Sequence, residues 1–251
     1  MREVISVVNR KGGVGKTATA HALGAGLALK GFRILFVDLD SQGNLTYALG
    51  AKTAPPSAME VLSGTATTAE AIQHTPGGDI LAGSPSLAGA DLTITGTGKE
   101  YRLKEALEAV AGSYDYAVVD TPAQLGTLTV NALTAANSVI IPVQAEIYSL
   151  QGIGQLSQAI EAVRKYCNKD LAIEGILITR YNSRSIISRD MQSNLEEAAK
   201  ELNTRLHSTP IRECVSIKEA QAQQMDIFTY APKSNAAKDY KALLDEFLGR
   251  E

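Results

Sequence analysis

The sequence lacks the features on which several classes of protein depend. Its 251 residues include only two cysteines, Cys167 and Cys214, too few for a disulfide framework or a zinc site. No apolar run approaches the roughly 18 residues that a membrane-spanning helix needs, and no signal peptide precedes the first apolar segment. These absences exclude a disulfide-rich secreted protein and a membrane-spanning protein, and they predict a cytoplasmic location.

An excess of positive charge is also missing. The chain has 24 lysines and arginines against 27 aspartates and glutamates, a net charge of −3. Any nucleic-acid binding must therefore come from a local basic patch. With 45% apolar and 20% charged residues, the composition is that of an ordinary globular protein, which excludes a disordered chain.

Short apolar strands alternate with helices along the chain. Residues 4–8 form a continuous apolar run typical of a strand buried on both faces, and a Gly-rich turn and a helix at 17–30 follow it. Further strands are predicted at 33–37, 80–82, 116–119, 138–142 and 172–179, and further helices at 101–111, 127–136, 150–166, 188–206 and 236–248. This order predicts an α/β fold, a doubly wound and mostly parallel sheet flanked by helices, with residues 1–251 in a single domain.

The strongest motif is KGGVGKT at residues 11–17, between the first strand and the first helix. Glycines let backbone N–H groups surround a phosphate, and the N-terminus of the following helix favours the same negative charge. Lys16 is predicted to reach the β and γ phosphates, and the Thr17 hydroxyl to take one position around Mg²⁺. The general P-loop pattern has glycine where this chain has Arg10, so the strict pattern fails by one residue. ATP and Mg²⁺ are the predicted cofactors.

Carboxylates follow two of the predicted strands. Asp38 and Asp40 come directly after the strand at 33–37, and Asp120 follows the strand at 116–119. Ligands of open α/β sheets bind at the carboxyl edge, where these side chains emerge beside the P-loop. We expect one of Asp38 and Asp40 to hold a Mg²⁺-bound water and the other to orient the attacking water. Asp120 is expected to hold the metal indirectly.

Several segments, in order along the whole chain, resemble the ParA/MinD ATPases. KGGVGKT resembles the deviant Walker A motif of that family, VDLDSQGN at 37–44 its first switch segment, and YDYAVVDTP at 114–122 its Walker B motif and second switch. The likeness continues at 141–144, 174–179 and 230–234. Ser41 stands where proline is usual, and Ala123 and Gln124 stand where a second proline and a serine are common.

The resemblance implies a SIMIBI-type P-loop NTPase with weak intrinsic ATP hydrolysis. It implies that Lys11 crosses a dimer interface to the partner's nucleotide, that Asp40 is the hydrolytic residue, and that Lys11, Lys16 and Asp40 form the catalytic set. Asn182 and Arg212 occupy positions that the family places near the nucleotide. The predicted nucleotide-binding set is Lys11, Gly12, Gly13, Val14, Gly15, Lys16, Thr17, Ala18, Asn182 and Arg212, and the predicted metal set is Thr17, Asp38 and Asp120.

The function that the resemblance implies is DNA partition. An ATP-bound homodimer would bind DNA non-specifically on the nucleoid, and a ParB-like partner would stimulate hydrolysis. Residues 180–218 carry seven basic and five acidic residues, a modest excess that a solvated helix face explains almost as well. Arg184, Arg189 and Arg212 are the predicted DNA contacts. Because the first strand begins at residue 4, we expect no N-terminal helix-turn-helix domain and no sequence-specific operator binding.

Two other functions stay open at this point. A MinD-like ATPase that cycles on a membrane or positions a protein cargo is one, but residues 236–251 carry a net charge of −1, so membrane binding is not expected. A ligase or amidotransferase of the same superfamily is the other, and it would need a second substrate pocket that the sequence does not identify. The sequence does not distinguish a plasmid, a chromosome or a protein assembly as cargo.

Overall fold

The computed structural model describes residues 1–146, 149–182 and 186–249, and for residues 186–190 it describes only the backbone. A β-sheet lies at its centre. Its strands within these ranges are β1 (Glu3–Val7), β2 (Ile34–Asp38), β3 (Ile72–Thr75), β4 (Gly78–Leu81), β5 (Tyr116–Asp120), β6 (Ser138–Gln144) and β7 (Ala172–Thr179). They lie in the order β3-β4-β2-β5-β1-β6-β7. Only the edge pair of β3 and β4 is antiparallel among these strands. The predicted doubly wound, mostly parallel fold is confirmed.

Helices cover both faces of the sheet. In the described residues they are α1 (Lys16–Leu29), α2 (Asn44–Ala48), α3 (Ala58–Ser63), α4 (Thr68–Ala71), α5 (Ala90–Thr93), α6 (Arg102–Glu108), α7 (Thr127–Ala135), α8 (Ser149–Tyr166), α9 (Ile186–Glu201), α10 (Val215–Ala222), α11 (Ile227–Tyr230) and α12 (Asn235–Leu248). One core joins the sheet to α1, α10, α11 and α12. The opposite face packs against α3, α6 and α7 and, further along, against α8 and α9. The sheet is therefore buried on both sides, which explains its continuous apolar strands.

Some elements differ from the sequence-based expectations. The helix expected at 188–206 ends at Glu201, because Asn203 adopts a left-handed conformation with φ of 56°. The helix expected at 101–111 is shorter, and a 3₁₀ turn at Lys99–Tyr101 precedes it. Helix α3 was not among the predicted helices, although Ser57 and Glu60 form a capping box that the sequence carries as S-x-x-E.

Three adjacent strands bring the predicted chemistry to one edge. Strand β5 lies between β1 and β2, and Asp120 is paired in register with Val7 on one side and Asp38 on the other. The loop after β1 leads into α1, and the loop after β2 carries Asp40. Because all three strands are parallel, these loops and carboxylates converge at the carboxyl end of the sheet.

Candidate nucleotide-binding site

Two carbonyl groups of the loop between β1 and α1 are bound by side chains at the ends of β6 and β7. Gly13 and Gly15 have φ of 75° and 86°, the left-handed region that favours glycine. The Gly13 carbonyl accepts a 2.8 Å hydrogen bond from Gln144 Nε2, and the Val14 carbonyl accepts one of 2.7 Å from Thr179 Oγ1. A Cβ placed on Gly13 would meet nothing within 4 Å, so there is room for an anion against the loop.

The beginning of α1 is suited to bind negative charge. Gly15 is its N-cap and provides no side-chain cap for the N–H groups of the first turn. Lys16 is buried, with 7% exposure, and its Nζ donates to the Lys11 carbonyl at 3.2 Å. Burial lowers the pKa of Lys16, while the charges of Asp120 and Asp40 act to raise it. A nearly buried ammonium beside free helix N–H groups fits a polyphosphate.

Thr17 and Asp120 form a donor set that fits a hard divalent cation. Thr17 Oγ1 donates to Asp120 Oδ2 at 2.6 Å, and Asp120 Oδ1 has no hydrogen-bond partner among the described residues although it is completely buried. Burial, and then the neighbouring Asp38, raise the pKa of Asp120 well above its usual value. A buried carboxylate oxygen without a partner, next to a hydroxyl, is consistent with Mg²⁺ and its water ligands.

Asp38 and Asp40 occupy different environments. Asp38 is completely buried, and its carboxylate accepts hydrogen bonds from the backbone N–H of Asp40 and from the N–H and hydroxyl of Thr46. Burial raises the pKa of Asp38 to about 6, although the hydrogen bonds from Thr46 act in the opposite direction. Asp40 instead borders the open cavity. Asp38 therefore faces the loop that carries Asp40 and does not border the cavity itself.

A cavity of about 670 Å³ lies over the loop, a size typical of a small-molecule site. It includes most of the predicted nucleotide-binding residues and reaches α2, α10 and α12. Its described walls include Gly12, Gly13, Gly15, Lys16, Thr17, Ala18, Asp40, Gln42, Asn44, Tyr47, Thr179, Arg180, Arg212, Cys214, Ile217, Lys218 and Tyr240. Cys214 also reaches the cavity, because the chain returns to it before α10.

The remaining predicted nucleotide-binding residues differ in where their side chains lie. Lys11 Nζ forms an ion pair with the Glu146 carboxylate at the surface, and Val14 is buried. Asn182 is exposed and is not among the residues that line the cavity. Arg212 does line it, but its guanidinium donates to Asp239, with 2.6 Å between Nη2 and Oδ1.

The predicted DNA-contacting side chains are only partly described. Arg184 lies outside the described residues, and only the backbone of Arg189 is described. Other arginines of the 180–218 segment have acidic partners: Arg180 pairs with Glu213 at 2.9 Å, and Arg205 pairs with Glu174. Much of the local positive charge is therefore already balanced within the chain.

Gln144 and Thr179 were not among the predicted site residues, although their side chains donate hydrogen bonds to carbonyls of the loop. Each is the last residue of a strand, β6 or β7, and each is polar after an apolar run. Strands β6 and β7 continue the parallel sheet beside β1, so their last residues lie at the same edge as the loop. A polar residue at the end of an apolar strand could therefore have indicated these two positions.

Comparisons with known proteins agree with this arrangement. A family profile described as an AAA domain matches residues 2–173. The chain is 40% identical over 251 residues to the sporulation initiation inhibitor protein Soj of Bacillus subtilis (strain 168), covering 98% of both chains. It is 36% identical to the chromosome partitioning protein ParA of Caulobacter vibrioides (strain NA1000 / CB15N), covering 99% of this chain and 94% of that one.

The chain belongs to the ParA/MinD family of ATPases. A solved structure of cobyrinic acid a,c-diamide synthase from Mycobacterium smegmatis, with bound ADP and magnesium, superposes with a TM-score of 0.86. That protein is 36% identical, and the match covers 99% of this chain and 94% of the other. As a separate finding, no helix in the described residues is both long and apolar enough to cross a membrane.

Proposed function

We propose that this ParA/MinD-family chain is an ATPase of DNA partition, acting as one P-loop domain over residues 1–251. The observation that carries the proposal is that Lys16, Thr17 and Asp40 border one cavity, with Asp120 hydrogen-bonded to Thr17 behind them. The similarity to Soj and ParA proteins over nearly the whole chain supports partition as the purpose of that ATPase.

The residues around the cavity divide the work of hydrolysis. The loop N–H groups and Lys16 bind the triphosphate, and Thr17 and Asp120 would hold Mg²⁺, which neutralises phosphate charge when bound. Asp40 accepts a hydrogen bond from the attacking water and so orients it. Asp40 Oδ1 already accepts from the backbone N–H of Gln42 at 3.0 Å, which fixes the carboxylate at the edge of the cavity.

Lys11 links nucleotide binding to dimerisation in this proposal. Its side chain is 36% exposed and pairs with an exposed partner, Glu146. Surface ion pairs contribute at most about 1 kcal/mol, so the phosphates of a second protomer can displace this pair. ATP then joins two protomers face to face in an isologous dimer.

DNA binding follows from dimerisation. A protomer with a net charge of −3 binds DNA weakly, whereas a dimer doubles the number of proposed contacts, which are Arg184, Arg189 and Arg212. The ATP-bound dimer is held on the nucleoid in the cytoplasm until a ParB-like partner stimulates hydrolysis. Binding is independent of sequence, because the contacts are to phosphates.

DNA co-sedimentation with ATP, with ADP and without nucleotide tests the proposal. We expect binding only with ATP, and a log–log salt slope near −5 for about six phosphates neutralised per dimer. Arg184→Glu should weaken binding to all sequences, whereas Lys104→Glu, the same charge change on the exposed face of α6, should not. Equal binding with and without ATP, or strong preference for one sequence, contradicts the proposal.

The alternatives give different results in parallel assays. A MinD-like protein would float with anionic vesicles in ATP. Two observations support a synthase as a second candidate: the similarity to the M. smegmatis structure and a second cavity of about 290 Å³ beside Asp40. A synthase would hydrolyse ATP faster when a corrinoid acid and glutamine are added, whereas a partition ATPase would respond to DNA and its partner protein.

A further inference from the structure

The hydroxyl of Thr46 is the centre of a buried hydrogen-bond network. Thr46 is completely buried in α2, and its Oγ1 donates to Asp38 Oδ2 at 2.8 Å. The same hydroxyl accepts from the backbone N–H of Gly83 at 2.8 Å, and the Thr46 N–H also donates to Asp38 Oδ2, at 2.9 Å. The hydroxyl therefore donates to the Asp38 carboxylate and is itself held by the backbone of Gly83.

Asp38 transmits this constraint to Asp40. Its other oxygen, Oδ1, accepts from the Asp40 backbone N–H at 3.0 Å. A continuous series of hydrogen bonds thus runs from Gly83, just after β4, through Thr46 and Asp38 to the main chain of Asp40. The Asp40 carbonyl in turn accepts from the N–H of Gly43 at 3.0 Å, which closes the turn leading into α2.

Gly83 fits this network because it has no side chain. A Cβ at this position would lie 2.8 Å from the Asp40 carbonyl oxygen and 2.9 Å from Asp38 Cγ. The first atom is backbone and the second belongs to a carboxylate held by three hydrogen bonds, so a Cβ at residue 83 would displace the loop that carries Asp40. The backbone of residue 83 is in direct contact with that loop.

We propose that Thr46 is a positioning residue for ATP hydrolysis, whose hydroxyl fixes Asp38 and thereby places Asp40 at the cavity. The inference rests on the proposed function, in which Asp40 orients the attacking water. Thr46 itself is buried and does not line the cavity. Its loss should therefore reduce the rate of hydrolysis and leave nucleotide binding intact, since a displacement of about 1 Å can slow a reaction about 100-fold.

The test compares Thr46→Val, which removes the hydroxyl at similar volume, with Thr46→Ser, which keeps it. Thr68→Val is the matched control. Thr68 lies in α4 and is also buried, and its hydroxyl donates to the Ala106 carbonyl at 2.9 Å. Nucleotide affinity, single-turnover hydrolysis at saturating ATP and Tm are measured for each protein. We expect Thr46→Val to slow hydrolysis about 10- to 100-fold at unchanged affinity, and Thr46→Ser and Thr68→Val to hydrolyse at nearly the wild-type rate.

A double variant shows whether the effect passes through Asp40. In an Asp40→Ala background, Thr46→Val should not slow the residual hydrolysis further, because the carboxylate that it positions is absent. The inference alone is overturned if Thr46→Val hydrolyses ATP as fast as Thr68→Val. It is also overturned if Thr46→Val slows hydrolysis equally in the presence and absence of the Asp40 carboxylate. Wild-type hydrolysis by Asp40→Ala overturns the proposed function, and the inference with it.

Discussion

Asp120→Asn should make the nucleotide-free protein more stable while abolishing its response to magnesium. Asparagine keeps an oxygen for the Thr17 hydroxyl and removes a buried carboxylate next to Asp38. Raising a carboxyl pKa from 3.8 to about 6, as burial does for Asp38, costs about 3 kcal/mol at pH 7. Burial and the neighbouring Asp38 also raise the pKa of Asp120, so Asp120→Asn relieves a cost of the same sign.

A new cost partly offsets the one that the substitution removes. The asparagine amide places N–H groups where Asp120 Oδ1 has no partner among the described residues, and a buried unpaired donor costs about 1 kcal/mol. The net effect should be a higher Tm at pH 7, by about 2 to 4 °C for each 1 kcal/mol gained in a chain of this length. Differential scanning calorimetry without nucleotide measures it.

The pH dependence of this gain has a definite sign. A folded-state pKa above the unfolded value means that the folded protein binds the proton more tightly. The wild-type protein therefore loses stability as pH rises from about 4 through about 6, the range of Asp38. The advantage of Asp120→Asn should shrink as pH falls and should be lost below about 4, where the carboxyls of both states become protonated.

A control of opposite sign is available at Asp115. Hydrogen bonds from Arg33 lower the pKa of Asp115 to about 2, so Asp115→Asn should reduce Tm at pH 7, and the difference should disappear as pH falls towards 2. In wild type, Mg²⁺ should increase the stabilisation by ADP, and Asp120→Asn should not show this increase. A lower Tm for nucleotide-free Asp120→Asn at pH 7, or a retained magnesium effect, would refute the reasoning.

Three further predictions follow from the site and the core. Lys16→Ala should abolish Mg·ATP binding in calorimetry, because its ammonium supplies the charge that holds the phosphates; wild-type affinity would show that the site is elsewhere. Asp40→Ala should slow hydrolysis and trap the ATP-bound dimer, and light scattering that finds a monomer in saturating ATP would count against dimerisation. Gly24→Ala should lower the free energy of unfolding in urea by about 1 to 3 kcal/mol. The new Cβ would lie 2.1 Å from the ring of Phe36, and this overpacking outweighs the gain in helix propensity. Unchanged stability would mean that the Phe36 ring moves aside freely.

The parts of the site that could be predicted from sequence depend on short-range rules. The loop at residues 11–17 lies between a buried strand and a helix, and glycine conformations and helix N–H groups there act within a few residues of each other. Asp40 and Asp120 follow apolar strands, and parallel strands bring their carboxyl ends to one edge in any order. The amino-acid sequence alone therefore places the loop and these carboxylates together.

Other features of the site depend on strand order and on the direction of each loop. The turn after β2 directs Asp38 towards Thr46 and only Asp40 towards the cavity, although both lie at the same strand end. Cys214 reaches the cavity from a distant part of the chain, and Arg212 is held there by Asp239, a residue of α12. No local pattern encodes these contacts, because they form between residues that become neighbours only when the helices pack on the sheet.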